Sequence, residues 1–399
     1  MILKSVLFDI INSQQNNFFK RELKTRRELI NDLKDNISRL VIINGIKRTG
    51  KSTFLFQLYK ENFQDVFYIN FEHPGLYDFE QNDFFKLDEI ITASGNEVLF
   101  FDEITELKGW QNYVRQKFEE GFTVVLTASN SEILNNEEGL NLTGRYVIKD
   151  LLPFSFTEFC SYHEYKKDEK AVVNYMKQGG FPGNLENDND DYLSQLFDDI
   201  VVRETGLRFG VRDIKSFKRL AMHLLLNVGE LITGNQLKSL LGIKTTSTVM
   251  DYLSFLESGF LFHYVPKFSY SVRKQMINPR KVYVVDTGFV GTNTFSAENK
   301  TEQLLENLVY LRLRQQYSEL NYYSEMYTCD FVAFGKNRAV KAVQVCGSLQ
   351  QDNLEKELNG LYEAMEFFEF AEGTLVTMNQ SDRFERNGKV INVVPFYEF

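Results

Sequence analysis

A chain of 399 residues is longer than one ordinary hydrophobic core organises and predicts about two to four domains. Its 43% hydrophobic and 25% charged residues are those of a packed globular protein. With no run of about eighteen uncharged apolar residues, a membrane span is not expected. The net charge of −10 argues against wholesale coating of nucleic acid but leaves room for a local basic surface. Cys160, Cys329 and Cys346 are odd in number and lack metal-ligand spacing, so a reducing, cytoplasmic setting is expected. The opening MILKSVLFDIINSQQ carries Lys4 and Asp9 and no small-residue cleavage pattern, which does not suit a secretory signal.

The apolar run Leu40 to Ile43 leads into GIKRTGKST, residues 45 to 53, and then into the helix-like FLFQLYKEN. This is G-x-x-x-x-G-K-[ST] in strand–loop–helix context, a pattern that chance places in roughly one or two such chains per hundred. Gly45 and Gly50 stand where backbone must approach phosphate oxygens closely, and the N–H groups between them, those of Lys47, Arg48 and Thr49 included, line the anion. Lys51 is then the ligand of the β- and γ-phosphates, the Ser52 hydroxyl a ligand of Mg²⁺ and Thr53 a contact of the α-phosphate, all at the positive end of a helix.

A second buried strand, EVLFFDE, ends in Asp102 and Glu103. Asp102 is expected to hold Mg²⁺ through a water, and Glu103 to orient or deprotonate the attacking water. A strand end with a helix cap is the plainer alternative, which the upstream loop disfavours. A third run, FTVVLTASNSEIL, places Thr127, Ser129 and Asn130 where a polar side chain would sense the γ-phosphate. The strand VFYINFE ends in Glu72, read either as a cap or as a contact of the nucleotide region.

Residues 1–155 alternate buried strands with helical stretches, the form of a parallel sheet covered on both faces. Pro153 in LLPFSFTEF marks the exit. Residues 156–215 read as a helical lid or linker, interrupted by GGFPG and by the acidic stretch ENDNDD. Residues 216–290 run helix, helix, helix and then two strands, the order of a winged helix. Its wing holds Lys267, Arg273, Lys274, Arg280 and Lys281 without an acid. Two readings stand, a phosphate-contacting edge or a packing module. Residues 295–399 form another α/β unit. A metal nuclease there needs two carboxylates and a lysine, and the corresponding positions hold Glu306, Asp330, Gln344 and Cys346, two of them chemically wrong, so nuclease activity is not expected.

Taken in order, G-x-K-R-x-G-K-S, FFDEI, T-x-S-N, LTGRY with LPFSFTEF, GGFPG, KVYVVDTG and CDFVAF with VQVC resemble the bacterial and archaeal AAA-type ATP-binding proteins over nearly the whole chain. Those proteins join a P-loop core to a winged helix and a C-terminal domain of unknown function with a restriction-endonuclease-like fold. The fold class this implies is α/β: a P-loop NTPase parallel-sheet core, a helical region with a winged helix, and a small C-terminal restriction-endonuclease-like α/β domain. The resemblance implies ATP binding and Mg²⁺-dependent hydrolysis at Lys51, Ser52, Asp102 and Glu103. Arg145 takes the place of an arginine finger, an intramolecular sensor or a salt-bridge partner. The expected function is a slow ATPase that switches its winged-helix and C-terminal modules. The alternatives are an ATP-gated DNA-binding protein or a protein-interaction scaffold, and oligomerisation is left open.

Overall fold

A computed structural model describes residues 1–33, 40–129, 145–186, 191–293, 300–336 and 338–399. They form two compact units, Met1–Leu152 and Pro153–Phe399. Asn130, Gly144 and most of ENDNDD lie outside the described residues.

In the first unit the apolar runs become a five-stranded parallel sheet of β1 (Leu40–Asn44), β2 (Phe67–Asn70), β3 (Val98–Asp102), β4 (Thr123–Ala128) and β5 (Val147–Asp150), in the order β2-β3-β4-β1-β5. Period-two alternation sorts its side chains. Leu40, Ile42, Ile69, Phe101 and Leu126 pack on one face with Leu7 and Ile11 of α1 (Lys4–Phe19), Leu87 of α3 (Asp83–Ser94) and Val114 of α4 (Trp110–Glu119). Val41, Ile43, Phe100 and Val125 pack on the other with Phe54, Leu55 and Leu58 of α2 (Lys51–Asn62). Burial on both faces is why these strands read as continuous apolar runs.

The second unit holds a three-stranded antiparallel sheet, β6 (Leu231–Ile232), β8 (Arg280–Val284) and β7 (Phe262–Pro266) in that order, with the helices Ile214–Leu226, Gly234–Leu241 and Thr246–Ser258 preceding β7. Its six-stranded mixed sheet comprises β9 (Glu319–Ser324), β10 (Thr328–Gly335), β11 (Arg338–Val345), β12 (Glu372–Thr377), β13 (Asp382–Arg386) and β14 (Lys389–Pro395), ordered β13-β14-β12-β11-β10-β9. Among the described residues no helix is long and apolar enough to cross a membrane.

Three of the motifs named above meet here in one hydrogen-bonded cluster. Ser155 and Glu158 of LPFSFTEF close a reciprocal capping box on the helix Phe156–His163. Phe154 donates its N–H to Gly180 of GGFPG at 2.7 Å. The buried Asp286 of VVDTG accepts from Gly180 N at 2.6 Å and from Gly288 N at 2.8 Å. A Cβ on Gly179, whose φ is +71°, would stand 1.8 Å from Asp286 Oδ1, so glycine is required there. Burial pushes the Asp286 carboxyl up to about 7, against the pull of these backbone donors.

Candidate nucleotide site

The loop between β1 and α2 is fixed by its own backbone. Gly45 N donates to Ala128 O at 3.1 Å, and a Cβ on Gly45 would lie 2.3 Å from Leu151 O. Gly50 caps α2 with φ 91°, while Arg48 holds a left-handed φ of 68°. Thr49 is buried and donates to Ile46 O at 3.0 Å. Thr53, by contrast, is exposed at the start of α2.

Lys51, in the first turn of α2, is 5% exposed, and its ammonium has four oxygens around it: Gly45 O at 2.9 Å, Ile46 O at 3.4 Å, Ser129 Oγ at 2.9 Å and Glu103 Oε1 at 3.0 Å. Ser129 Oγ in turn donates to Glu103 Oε1 at 2.6 Å. Glu103 sits just beyond β3 with φ 54°, a left-handed turn that carries its side chain out of the strand's alternation. Its backbone N–H donates to Thr127 Oγ1 at 2.8 Å, and that hydroxyl donates to Asp102 Oδ1 at 2.6 Å. Asp102 is fully buried and also accepts from Tyr68 OH at 2.8 Å, from Asn70 Nδ2 at 3.3 Å and from the Ser52 hydroxyl. Burial, and then the neighbouring Glu103 charge, hold the Asp102 carboxyl above the usual carboxylate range.

One hydrogen-bonded chain therefore joins Lys51, Ser129, Glu103, Thr127, Asp102 and Ser52, drawn from the start of α2 and from the ends of β3 and β4 and the residues just beyond them. Lys47 lies to its side and pairs with Glu72 at 2.9 Å. Arg145 is exposed and is not among the partners of Lys51, Asp102 or Glu103. Sequence reasoning overlooked Arg27, which is buried and donates to Thr49 O at 2.8 Å and to Leu152 O, bracing the loop from behind. It also overlooked Arg21, which donates to Ser52 O at 2.7 Å, and the two donors Tyr68 and Asn70. The run Thr25-Arg26-Arg27 ahead of β1 was the only local signal for the first of these.

The donor set fits a triphosphate with Mg²⁺. Buried Glu103 Oε2 has no hydrogen-bond partner among the described residues, and a buried carboxylate oxygen without one is an acceptor kept for a further donor. A hydroxyl and a carboxylate are hard oxygen ligands for a cation that retains several waters and shares phosphate oxygens.

The nuclease-like positions are built differently. The Lys281 ammonium, expected on a wing edge, is buried and lies 2.7 Å from both Glu306 Oε1 and Asp330 Oδ1. Tyr283 OH donates to Glu306 Oε1 at 2.6 Å, and Val345 N to Asp330 Oδ2 at 2.9 Å. Gln344 accepts from Asp330 N at 3.1 Å and donates to Glu357 Oε2 at 2.6 Å. Burial pushes Glu306 up to about 7 and the Cys346 thiol up to about 11. Lys281 is held there because β8 packs against the helix Thr301–Gln316 and is buried along nearly its whole length.

This geometry is that of a P-loop nucleotide-binding core. A family model described as "AAA domain" matches residues 38–160, and one described as "Domain of unknown function (DUF8612)" matches residues 169–299. An uncharacterised protein of Methanocaldococcus jannaschii is 29% identical, with 100% of this chain and 96% of that protein aligned. An uncharacterised protein of Haemophilus influenzae is 30% identical over 69% of this chain and 75% of its own length. The chain belongs to the family of that Haemophilus influenzae protein. Among solved structures, Aeropyrum pernix ORC1 in complex with DNA covers 73% of this chain and 95% of its own at 13% identity, with a TM-score of 0.29. The Thermotoga maritima RuvB Holliday junction branch migration motor covers 65% and 89% at 16% identity, also with a TM-score of 0.29. Both scores are below the level at which a shared fold follows.

Proposed function

We propose that the first unit hydrolyses ATP with Mg²⁺ and that its nucleotide state switches the arrangement of the second unit. The observation that carries this reading is the chain from Lys51 through Ser129 to Glu103 and through Thr127 to Asp102, ending on the unpaired Glu103 Oε2. In the reaction the loop N–H groups from Gly45 to Gly50, with Lys47, Arg48 and Thr49 between them, cradle the phosphates, and Thr53 meets the α-phosphate. Lys51 leaves its carbonyl partners for the β- and γ-phosphates. Ser52 and Asp102 are the residues that would hold Mg²⁺, which would supply charge neutralisation at the phosphates when bound. Glu103 orients the attacking water and accepts its proton, which yields ADP and inorganic phosphate. Ser129 and Thr127, bonded to the two acids, report the γ-phosphate to them, and Arg145 is reserved as a finger or sensor.

A second reading, ATP-gated DNA binding, draws on Arg273 and Lys274. Both are exposed on the short helix Val272–Ile277, which follows a helix–strand–helix–helix–strand order read as a winged helix. Turnover of ATP by the wild type, Lys51→Ala and Glu103→Gln, with and without Mg²⁺ and duplex DNA, tests both. Lys51→Ala is expected to abolish turnover, and Glu103→Gln to slow it at least 100-fold, roughly the effect of losing a positioned base, while ATP still binds. Wild-type turnover by Glu103→Gln would refute the assigned role. Stimulation by DNA that falls steeply with salt and disappears on neutralising Arg273 and Lys274 would favour the second reading.

A further inference from the structure

Glu72, left without a role by the reaction above, stands beside the phosphate loop. Its backbone N–H donates to Asn70 Oδ1 at 2.8 Å, and Asn70 Nδ2 reaches Asp102 Oδ2, so the residue just beyond β2 is tied to the acid at the end of β3. Its carboxylate then crosses to Lys47, the third residue of the loop, at 2.9 Å. Partial burial and the charge of Glu103 hold the Glu72 carboxyl above the usual range, while Lys47 and Lys51 oppose them. Glu72 therefore feels both the acid and the lysine of the candidate site.

The pair is open to water, with side-chain exposures of 27% for Lys47 and 40% for Glu72. An ion pair so exposed adds little to folding and separates at small cost, which suits a contact that is exchanged in use rather than one that holds the fold. Lys47 belongs to the segment whose backbone is shaped to receive phosphates. A polyanion placed there meets an ammonium already neutralised by a carboxylate.

Resting on the reading of this loop as an ATP site, we propose that Glu72 and Lys47 form a charge latch in which the carboxylate competes with the nucleotide's phosphates for the lysine ammonium. Glu72 is then a positioning residue that sets triphosphate affinity. Loss of its charge removes this competitor for the Lys47 ammonium, and loss of Lys47 makes Glu72 irrelevant to binding.

The test is an equilibrium titration of the full chain with Mg²⁺ and the β,γ-imido analogue of ATP, which removes hydrolysis from the measurement. The wild type is compared with Glu72→Gln, Lys47→Ala, the double variant and Lys51→Ala. Fluorescence of Trp110, the chain's one tryptophan, verifies that the first unit of each is folded. Glu72→Gln is expected to bind about five-fold more tightly, the upper end for an exposed pair. Lys47→Ala is expected to bind more weakly, and adding Glu72→Gln to it to change nothing. Unchanged or weakened binding by Glu72→Gln overturns the latch, as does an equal gain in the Lys47→Ala background. Failure of the site reading has a different signature, a wild type that does not bind or that binds no better than Lys51→Ala, and it overturns the latch as well.

Discussion

Replacing Lys281 by methionine removes the cation that Glu306 and Asp330 share while roughly keeping the side-chain volume. Both carboxylate oxygens lie 2.7 Å from the ammonium, so they are separated by no more than twice that distance. Two full charges about 5 Å apart in a medium of effective dielectric about 20 repel by about 3 kcal/mol. Breaking a buried pair by deleting one partner generally costs about 3–5 kcal/mol. The loss depends on pH. Burial raises Glu306 to about 7 in the fold, above its unfolded value, so the wild type loses stability from this group as pH rises toward 7. Without the ammonium the folded value rises further and the losing window extends upward. The variant is therefore expected to trail the wild type modestly at pH 5.5 and by the full amount at pH 8.5. For a unit of this size the full amount corresponds to a drop of roughly 6–20 °C in Tm. Calorimetry at the two pH values measures it, while Trp110 fluorescence follows the first unit separately. A variant as stable as the wild type at pH 8.5, or a deficit independent of pH, would refute the account of Lys281 as a buried cation clamp.

Two further perturbations follow from contacts in the same structure. Asp286→Asn leaves one oxygen to serve Gly180 N and Gly288 N and sets an amide NH₂ against the other donor, for an expected loss of about 1–3 kcal/mol in urea unfolding at pH 8. Because burial raises Asp286 to about 7, the wild type loses stability from this group as pH rises from the unfolded value toward 7. The variant lacks that slope, so the stability difference is largest at the acid end of this window and narrows toward pH 7. Gly45→Ala drives a methyl to within 2.3 Å of Leu151 O and must displace the start of the phosphate loop, so nucleotide affinity is expected to fall at least ten-fold in the titration described above.

What could be read from the chain alone was whatever is local or periodic. GIKRTGKST is contiguous because a loop that cradles phosphate is built from consecutive N–H groups, and FFDE sits at a strand end because a buried strand must stop where its polar residues begin. The parallel sheet of the first unit was legible for the same reason, since burial on both faces writes itself as unbroken apolar runs. Contacts between distant segments leave no such trace. Lys281 looked like one more basic residue of a wing, and only the packing of β8 against the helix Thr301–Gln316 placed it between Glu306 and Asp330. Glycines 179 and 180 looked like a loop, and only tertiary structure brought Asp286, more than a hundred residues away, onto their backbone. Arg27 behind the phosphate loop and Glu72 beside it are of the same kind. The sequence determined which residue types could do the chemistry and where the chain turns. Burial decided which charges were neutralised and by whom, because the cost of leaving a charge unpaired arises only once the fold has taken the water away.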